Sequence, residues 1–168
     1  MTLSTIITNG ADALPLYVMV SSLLEGIIFQ DNRGIIFFIA LCINFIINLI
    51  LKSILWRKDK NSDRPLGGSK DKCGDKYGNP SGHSQFAWFF AVFWILYILN
   101  SKVFSNPIAN VLSCISLILI AIIVCWSRIY IGCHKYSQVL LGSIIGAIIG
   151  FCVFYSTKNM LIPKNMQL

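Results

Sequence analysis

The sequence predicts an all-α polytopic membrane bundle of about five transmembrane helices, and three observations carry that prediction. The 168 residues are 55% hydrophobic, with a mean hydropathy of +0.68. Only 12% are charged, where a soluble domain carries about 25%. The apolar residues are gathered into five runs, most of them near the ~20 residues that a helix needs to cross a bilayer core. No internal repeat divides the chain, so residues 1–168 read as a single membrane-embedded domain.

The first run, Leu14–Phe29, is short for a span and is interrupted by Glu25 near its far end, where an interfacial position explains the acid best. Met1–Ala13 lacks a basic leader, so the first span is expected to serve as the insertion signal. Gly34–Trp56 carries Asn44 and Asn48 four residues apart on one face, a pattern suited to hydrogen bonding between helices. Asp59–Tyr77 is a polar linker, turned at Pro65-Leu66-Gly67-Gly68. Ser84–Leu99 is unusually aromatic, most simply for packing and interface anchoring. Asn100–Asn110 turns the chain into Val111–Trp126, and Tyr136–Tyr155 completes the set. In this last run Gly142, Gly146 and Gly150 follow the spacing that lets helices approach closely.

The net charge of +7 is concentrated in one loop, which suits an anionic partner such as a phosphate or a lipid headgroup. No stacking aromatics are interleaved with the basic residues, so nucleic acid is not expected as a partner. Of six cysteines, Cys42, Cys114, Cys125 and Cys152 lie in apolar runs, and Cys73 and Cys133 nearer the surface. No Cys-x-x-Cys spacing supports a zinc site or a redox pair. With two histidines and scattered thiols, no metal and no cofactor is expected.

Chemistry concentrates where the charged linker meets the third run, at Asn79-Pro80-Ser81-Gly82-His83-Ser84-Gln85-Phe86. A Pro-Ser-Gly turn frees backbone N–H groups, and the positive end of the following helix points at the same spot, which makes an anion site. His83 adds an imidazole able to move a proton near neutral pH. An ordinary N-cap with a bystander histidine explains this stretch alone equally well. A second group follows the fourth run, in Ser127-Arg128 and then His134 after a short turn. Arg128 offers a planar fork for two phosphate oxygens, and His134 can attack phosphorus. Gln138, four residues after His134, is placed to hold one ring N–H and free the other nitrogen. Alternatively, Arg128 snorkels and His134 caps a helix. With five spans, Lys52, Arg64, Ser81, His83, Arg128 and His134 all fall on one side of the membrane, a sorting that scattered polar residues would not show.

Arg64-Pro65, Pro80-Ser81-Gly82-His83 and Ser127-Arg128 with His134 resemble the three signature motifs of the type 2 phosphatidic acid phosphatase superfamily. Pro80 to Phe86 with Trp88-Phe89-Phe90, and Ser127-Arg128-Ile129-Tyr130 with His134, Ser137-Gln138-Val139-Leu140 and Gly142, are similar to its dolichyl pyrophosphate phosphatase branch. The resemblance runs from about Phe45 to Gly146 and implies a metal-independent, two-step hydrolysis of a polyisoprenoid diphosphate, dolichyl diphosphate to dolichyl phosphate. It implies that His134 is the nucleophile that forms a phosphohistidine, and that His83 is the acid for the leaving group and then the base for water. Lys52, Arg64, Arg128 and the backbone around Ser81 and Gly82 would bind the phosphoryl oxygens. The aromatic third helix and glycine-faced fifth would give the isoprenoid its approach from the lipid.

Two departures stand out. The superfamily commonly has an aspartate where this chain has Gln138, which the dolichyl branch shares. Eleven residues separate Lys52 from Arg64, more than the family's usual spacing. Lys52 is favoured as the first-motif cation because Asn48-Leu49-Ile50-Leu51-Lys52 resembles the family's surroundings, with Arg57 and Lys58 as alternatives. The rival functions are a phosphatase for phosphatidate or undecaprenyl diphosphate, and a catalytically silent channel or scaffold. The cation count would place the active face in the cytosol, whereas the dolichyl branch implies an integral protein of the endoplasmic reticulum whose site faces the lumen. The second implication is weighted more heavily.

Overall fold

The computed structural model describes residues 3–55, 63–65, 73, 77–101 and 103–162. They form helices α1 (Leu3–Ile28), α2 (Asn32–Ile50), α3 (Gly82–Asn100), α4 (Pro107–Tyr130) and α5 (Tyr136–Leu161), with a π-helical turn, Leu51–Leu55, prolonging α2. All five are long and apolar enough to span a membrane.

Local chemistry starts α2 and α4. Asp31 caps α2 by accepting from Arg33 N at 2.9 Å, and Asn106 caps α4 by accepting from Ile108 N at 2.9 Å, with Pro107 at the first position. The expectation for α1 is corrected, because the helix begins at Leu3 and carries Asp12 and Pro15 inside it. Proline removes one backbone donor, which reads as a break in isolation. Here α1 is held along its length by packing on α2, α3 and α4, and tertiary contact overrides propensity. Glu25 is exposed in the last turns of α1, in keeping with an interfacial acid.

α3 is the hub and packs most extensively on α5. The glycines explain the closeness. A Cβ at Gly142 would stand 2.5 Å from the Ser81 carbonyl oxygen, and one at Gly150 2.7 Å from that of Phe89; at Gly146 it would collide with the Gln85 carbonyl. The aromatic face of α3 is core, where Phe89 and Phe93 pack with Phe37 of α2 and Phe154 of α5. The glycine face of α5 and the Phe89–Phe93 face of α3 are therefore closed by packing, and of the α3 aromatics Phe86 lines the groove described below. Asn44 and Asn48 do bridge helices: Asn48 Nδ2 donates to Gln85 Oε1 at 2.8 Å, and Gln85 Nε2 to Asn44 Oδ1 at 2.9 Å. All three amides are buried, so the triad fixes α2 against α3 where lipid offers no alternative partner.

Between α2 and α3, Asp63 pairs with Tyr77 in a short antiparallel bridge. A disulfide joins Cys73 to Cys133, 60 residues apart. Cysteine spacing carries no local sign of this pair, since the bridge joins two distant loops and not a Cys-x-x-Cys turn. Arg57 and Lys58 lie outside the described residues.

Candidate active site

The end of α4 builds one wall. Gly132, at φ 73°, takes the left-handed conformation that stops the helix. Cys133 N then donates to the Arg128 carbonyl at 3.1 Å and Gly132 N to that of Ile129 at 2.9 Å, the paired bonds of a Schellman turn. His134 N also donates to the Arg128 carbonyl, at 3.2 Å. One carbonyl thus ties the backbones of the arginine and the histidine. Arg128 is 1% exposed. Its Nε donates to Ser127 Oγ at 3.1 Å, its Nη1 to the Asp12 carboxylate, and its Nη2 has no hydrogen-bond partner. A buried guanidinium N–H without an acceptor is costly, and an anion oxygen would satisfy it.

Arg64 closes over the same turn. Its Nη1 donates to the Cys133 carbonyl at 2.9 Å and lies 3.1 Å from His134 Nε2. Burial, then the positive charges of Arg64 and Lys52, pull the His134 pKa down to about 3. The Gly78 backbone favours the protonated ring, but Nδ1 has no partner in hydrogen-bonding geometry. His134 is accordingly neutral at physiological pH.

The second wall is the start of α3. Ser81 is its N-cap, accepting at Oγ from Ser84 N at 3.4 Å and from Ser84 Oγ at 3.0 Å. Ser81 N donates to the Gln138 carbonyl at 3.0 Å. Both of these Ser81 groups are engaged within the protein, so its place is that of a cap and a tie to α5. Gly82 and His83 line a groove of about 430 Å³ together with Asp12, Asn48 and Lys52. A Cβ at Gly82 would stand 3.7 Å from Lys52 Nζ, which brings Lys52 to the start of α3. The groove runs on between α1 and α2 past Leu16, Met19, Phe45 and Leu49. Leu16, Phe45 and Leu49 are exposed on the outer surface, so it opens sideways.

Gln138 departs from expectation. Its Oε1 accepts from Lys135 N at 3.1 Å and its Nε2 donates to the Asp63 carbonyl at 3.1 Å. His134 Nδ1 has no partner and Nε2 faces Arg64, so the expected ring hydrogen bond from Gln138 is not formed. The amide is drawn to the free N–H groups at the start of α5 instead. The structure therefore gathers Lys52, Arg64, Gly82, His83, Arg128 and His134 at one end of the bundle. Two further residues belong to the site without a motif of their own. Asp12 gave no local signal, lying on a helix with no motif. Gly78 leaves room beside the site, where a Cβ would stand 2.7 Å from Gln138 Oε1 and 3.2 Å from His134 Nδ1; its place beside Asn79-Pro80 is the available cue. Among the described residues no group of three His, Cys, Asp or Glu could hold a metal ion.

The sequence matches the PAP2 superfamily over residues 33–161. The chain belongs to that superfamily. Among its relatives, Dolichyldiphosphatase 1 of Homo sapiens is 33% identical over 156 residues, covering 89% of this chain and 63% of that protein. Dolichyldiphosphatase 1 of Dictyostelium discoideum is 35% identical, over 73% of this chain and 51% of its own. Lipid phosphate phosphatase gamma of Arabidopsis thaliana is 29% identical, over 89% and 65%. The chain thus spans somewhat less than two thirds of the length of these curated relatives. No solved structure matches it significantly.

Proposed function

We propose that this PAP2 protein is a lipid-diphosphate phosphatase that removes the terminal phosphate of a polyisoprenoid diphosphate, dolichyl diphosphate before others. One observation carries the reading: a neutral His134 set against Arg64 lies at the same end of the bundle as Arg128, Lys52 and His83, and the latter two open onto an apolar groove that reaches the lipid. The relatives named dolichyldiphosphatase support the substrate class.

In this reading the terminal phosphoryl group is held by Arg64, Arg128, Lys52 and the Gly82 backbone. His134 Nε2 attacks phosphorus in line, and the bond to the bridging oxygen breaks. His83 gives its proton to that oxygen, releasing the lipid monophosphate. His83 then takes a proton from water, which attacks the phosphohistidine and frees inorganic phosphate. Gln138 supports this site by holding the Lys135 and Asp63 backbones. No metal ion or cofactor takes part.

The disulfide supports a site facing the lumen of the endoplasmic reticulum. Cys133 is next to His134, and disulfides persist in oxidising compartments. That argument opposes the cation count, whose loop lysines serve an anionic substrate as well as topology.

The test is phosphate release by the purified full chain from dolichyl diphosphate, phosphatidate and undecaprenyl diphosphate in mixed micelles. The highest kcat/KM is expected on dolichyl diphosphate, with none from His134→Ala. Preference for phosphatidate would overturn the substrate assignment, and no release from any of the three would leave the scaffold reading in its place.

A further inference from the structure

Helix α1 carries no family motif, yet it delivers Asp12 into the site. The Asp12 carboxylate accepts from Arg128 Nη1 and its Oδ1 lies 3.8 Å from His83 Nε2. The Asp12 backbone carbonyl lies 3.4 Å from the same ring nitrogen. Two oxygens of one residue therefore converge on one nitrogen of the imidazole. Neither a carboxylate nor a carbonyl can donate, so Nε2 carries the proton and Nδ1 is left as the nitrogen that exchanges protons. The other charged groups acting on His83 are the cations Arg128 and Lys52.

The arrangement divides Arg128 in two. Nη1 fixes the carboxylate, and Nη2, buried without a partner, is kept for a phosphoryl oxygen. A guanidinium that holds both fixes the distance between the group being transferred and the residue that orients the acid. A carboxylate this close to a bound phosphate also repels it, so its presence needs a compensating role, and orienting an imidazole is such a role.

We propose that Asp12 is a positioning residue for His83, so that α1, outside the recognised motifs, completes the acid–base half of the site. This rests on the phosphatase reading above. In the leaving-group step His83 starts as the imidazolium, Nε2–H held by the Asp12 oxygens, and Asp12 stays ionised: the Nδ1 proton passes to the bridging oxygen as its bond to phosphorus breaks, leaving the neutral ring, and Nδ1 takes a proton back from water in the second step.

The experiment compares the wild type, Asp12→Asn, Asp12→Glu, His83→Ala and the double variant Asp12→Asn/His83→Ala. Each is assayed as the full chain on dolichyl diphosphate and on a nitrophenyl phosphate, whose leaving group needs no protonation. Asp12→Asn should lower kcat on the lipid diphosphate about 10–100-fold, the scale for losing an orienting partner, with KM little changed and little loss on the aryl ester. Asp12→Glu should recover part of the loss, and the double variant should be no slower than His83→Ala alone. Equal losses on both substrates, or additive losses in the double variant, would overturn the inference. Loss of folded protein lowers both rates alike, so the ratio within one variant still decides. A wild type that releases no phosphate from any substrate overturns the phosphatase reading and this inference with it, whereas an active wild type tests Asp12 alone.

Discussion

Arg64 Nη1 lies 3.1 Å from His134 Nε2. A guanidinium only donates, so this hydrogen-bond network assigns the ring's lone pair to Nε2 and its proton to Nδ1. The nitrogen with the lone pair is the one beside the cation that would hold a phosphoryl oxygen, which is the orientation a nucleophile needs.

The same pair makes stability depend on pH. Native His134 resists protonation down to about pH 3, while an unfolded histidine protonates near pH 6.5. Between those values the unfolded chain binds a proton that the native chain does not. Stability from this residue is therefore complete above about pH 6.5 and declines as pH falls toward 3. Wild-type Tm should fall more steeply between roughly pH 7 and pH 5 than that of His134→Gln. Identical acid slopes would show that the ring titrates normally.

Gln138→Ala should act on stability before chemistry. It removes the acceptor for Lys135 N and the donor to the Asp63 carbonyl, a loss on the scale of a helix cap, about 1 kcal/mol. Because Asp63 precedes Arg64, KM should rise while kcat changes little. A tenfold drop in kcat with Tm and KM unchanged would return Gln138 to the imidazole.

The glycine stripe predicts a contrast. Gly146→Ala drives a Cβ into the Gln85 carbonyl of α3, and overpacking of this kind costs about 1–3 kcal/mol. Gly10→Ala meets nothing within 4 Å and should be neutral or stabilising by up to about 1 kcal/mol. Thermal unfolding in detergent reads both, and equal behaviour would mean that the α3–α5 contact is looser than described.

Reduction of Cys73–Cys133 should weaken the fold and the site together. The bridge closes a loop with a sequence separation of 60, and such links contribute about 2–4 kcal/mol. Dithiothreitol, or Cys73→Ser, should lower Tm and slow phosphate release, since Cys133 also carries the carbonyl that Arg64 binds. Activity and Tm both indifferent to reductant would argue that the bridge is incidental.

Much of this was legible in the sequence because it is written in local chemistry. Hydropathy gave all five helices, and the Asn44 and Asn48 spacing gave a polar seam. Gly142, Gly146 and Gly150 gave a close helix contact. The illegible parts depend on residues far apart in the chain. Asp12 meets Arg128 across 116 positions, and nothing near either residue announces the other. The start of α1 was missed because Pro15 argues against helix locally, while the packing that holds it is tertiary. Gln138 was assigned to the nearest imidazole by helical spacing, but the N–H of Lys135 competes for the same oxygen and is closer along the backbone.

The groove between α1 and α2 opens through exposed Leu16, Phe45 and Leu49 rather than through the aqueous end of the bundle. If a long-chain substrate enters there, encounter is a two-dimensional event within one leaflet. Its rate then answers to the mole fraction of substrate among the surrounding lipids and to their lateral mobility. Diluting substrate with inert phospholipid at constant bulk concentration slows such an encounter, while diluting the whole suspension with buffer leaves it unchanged.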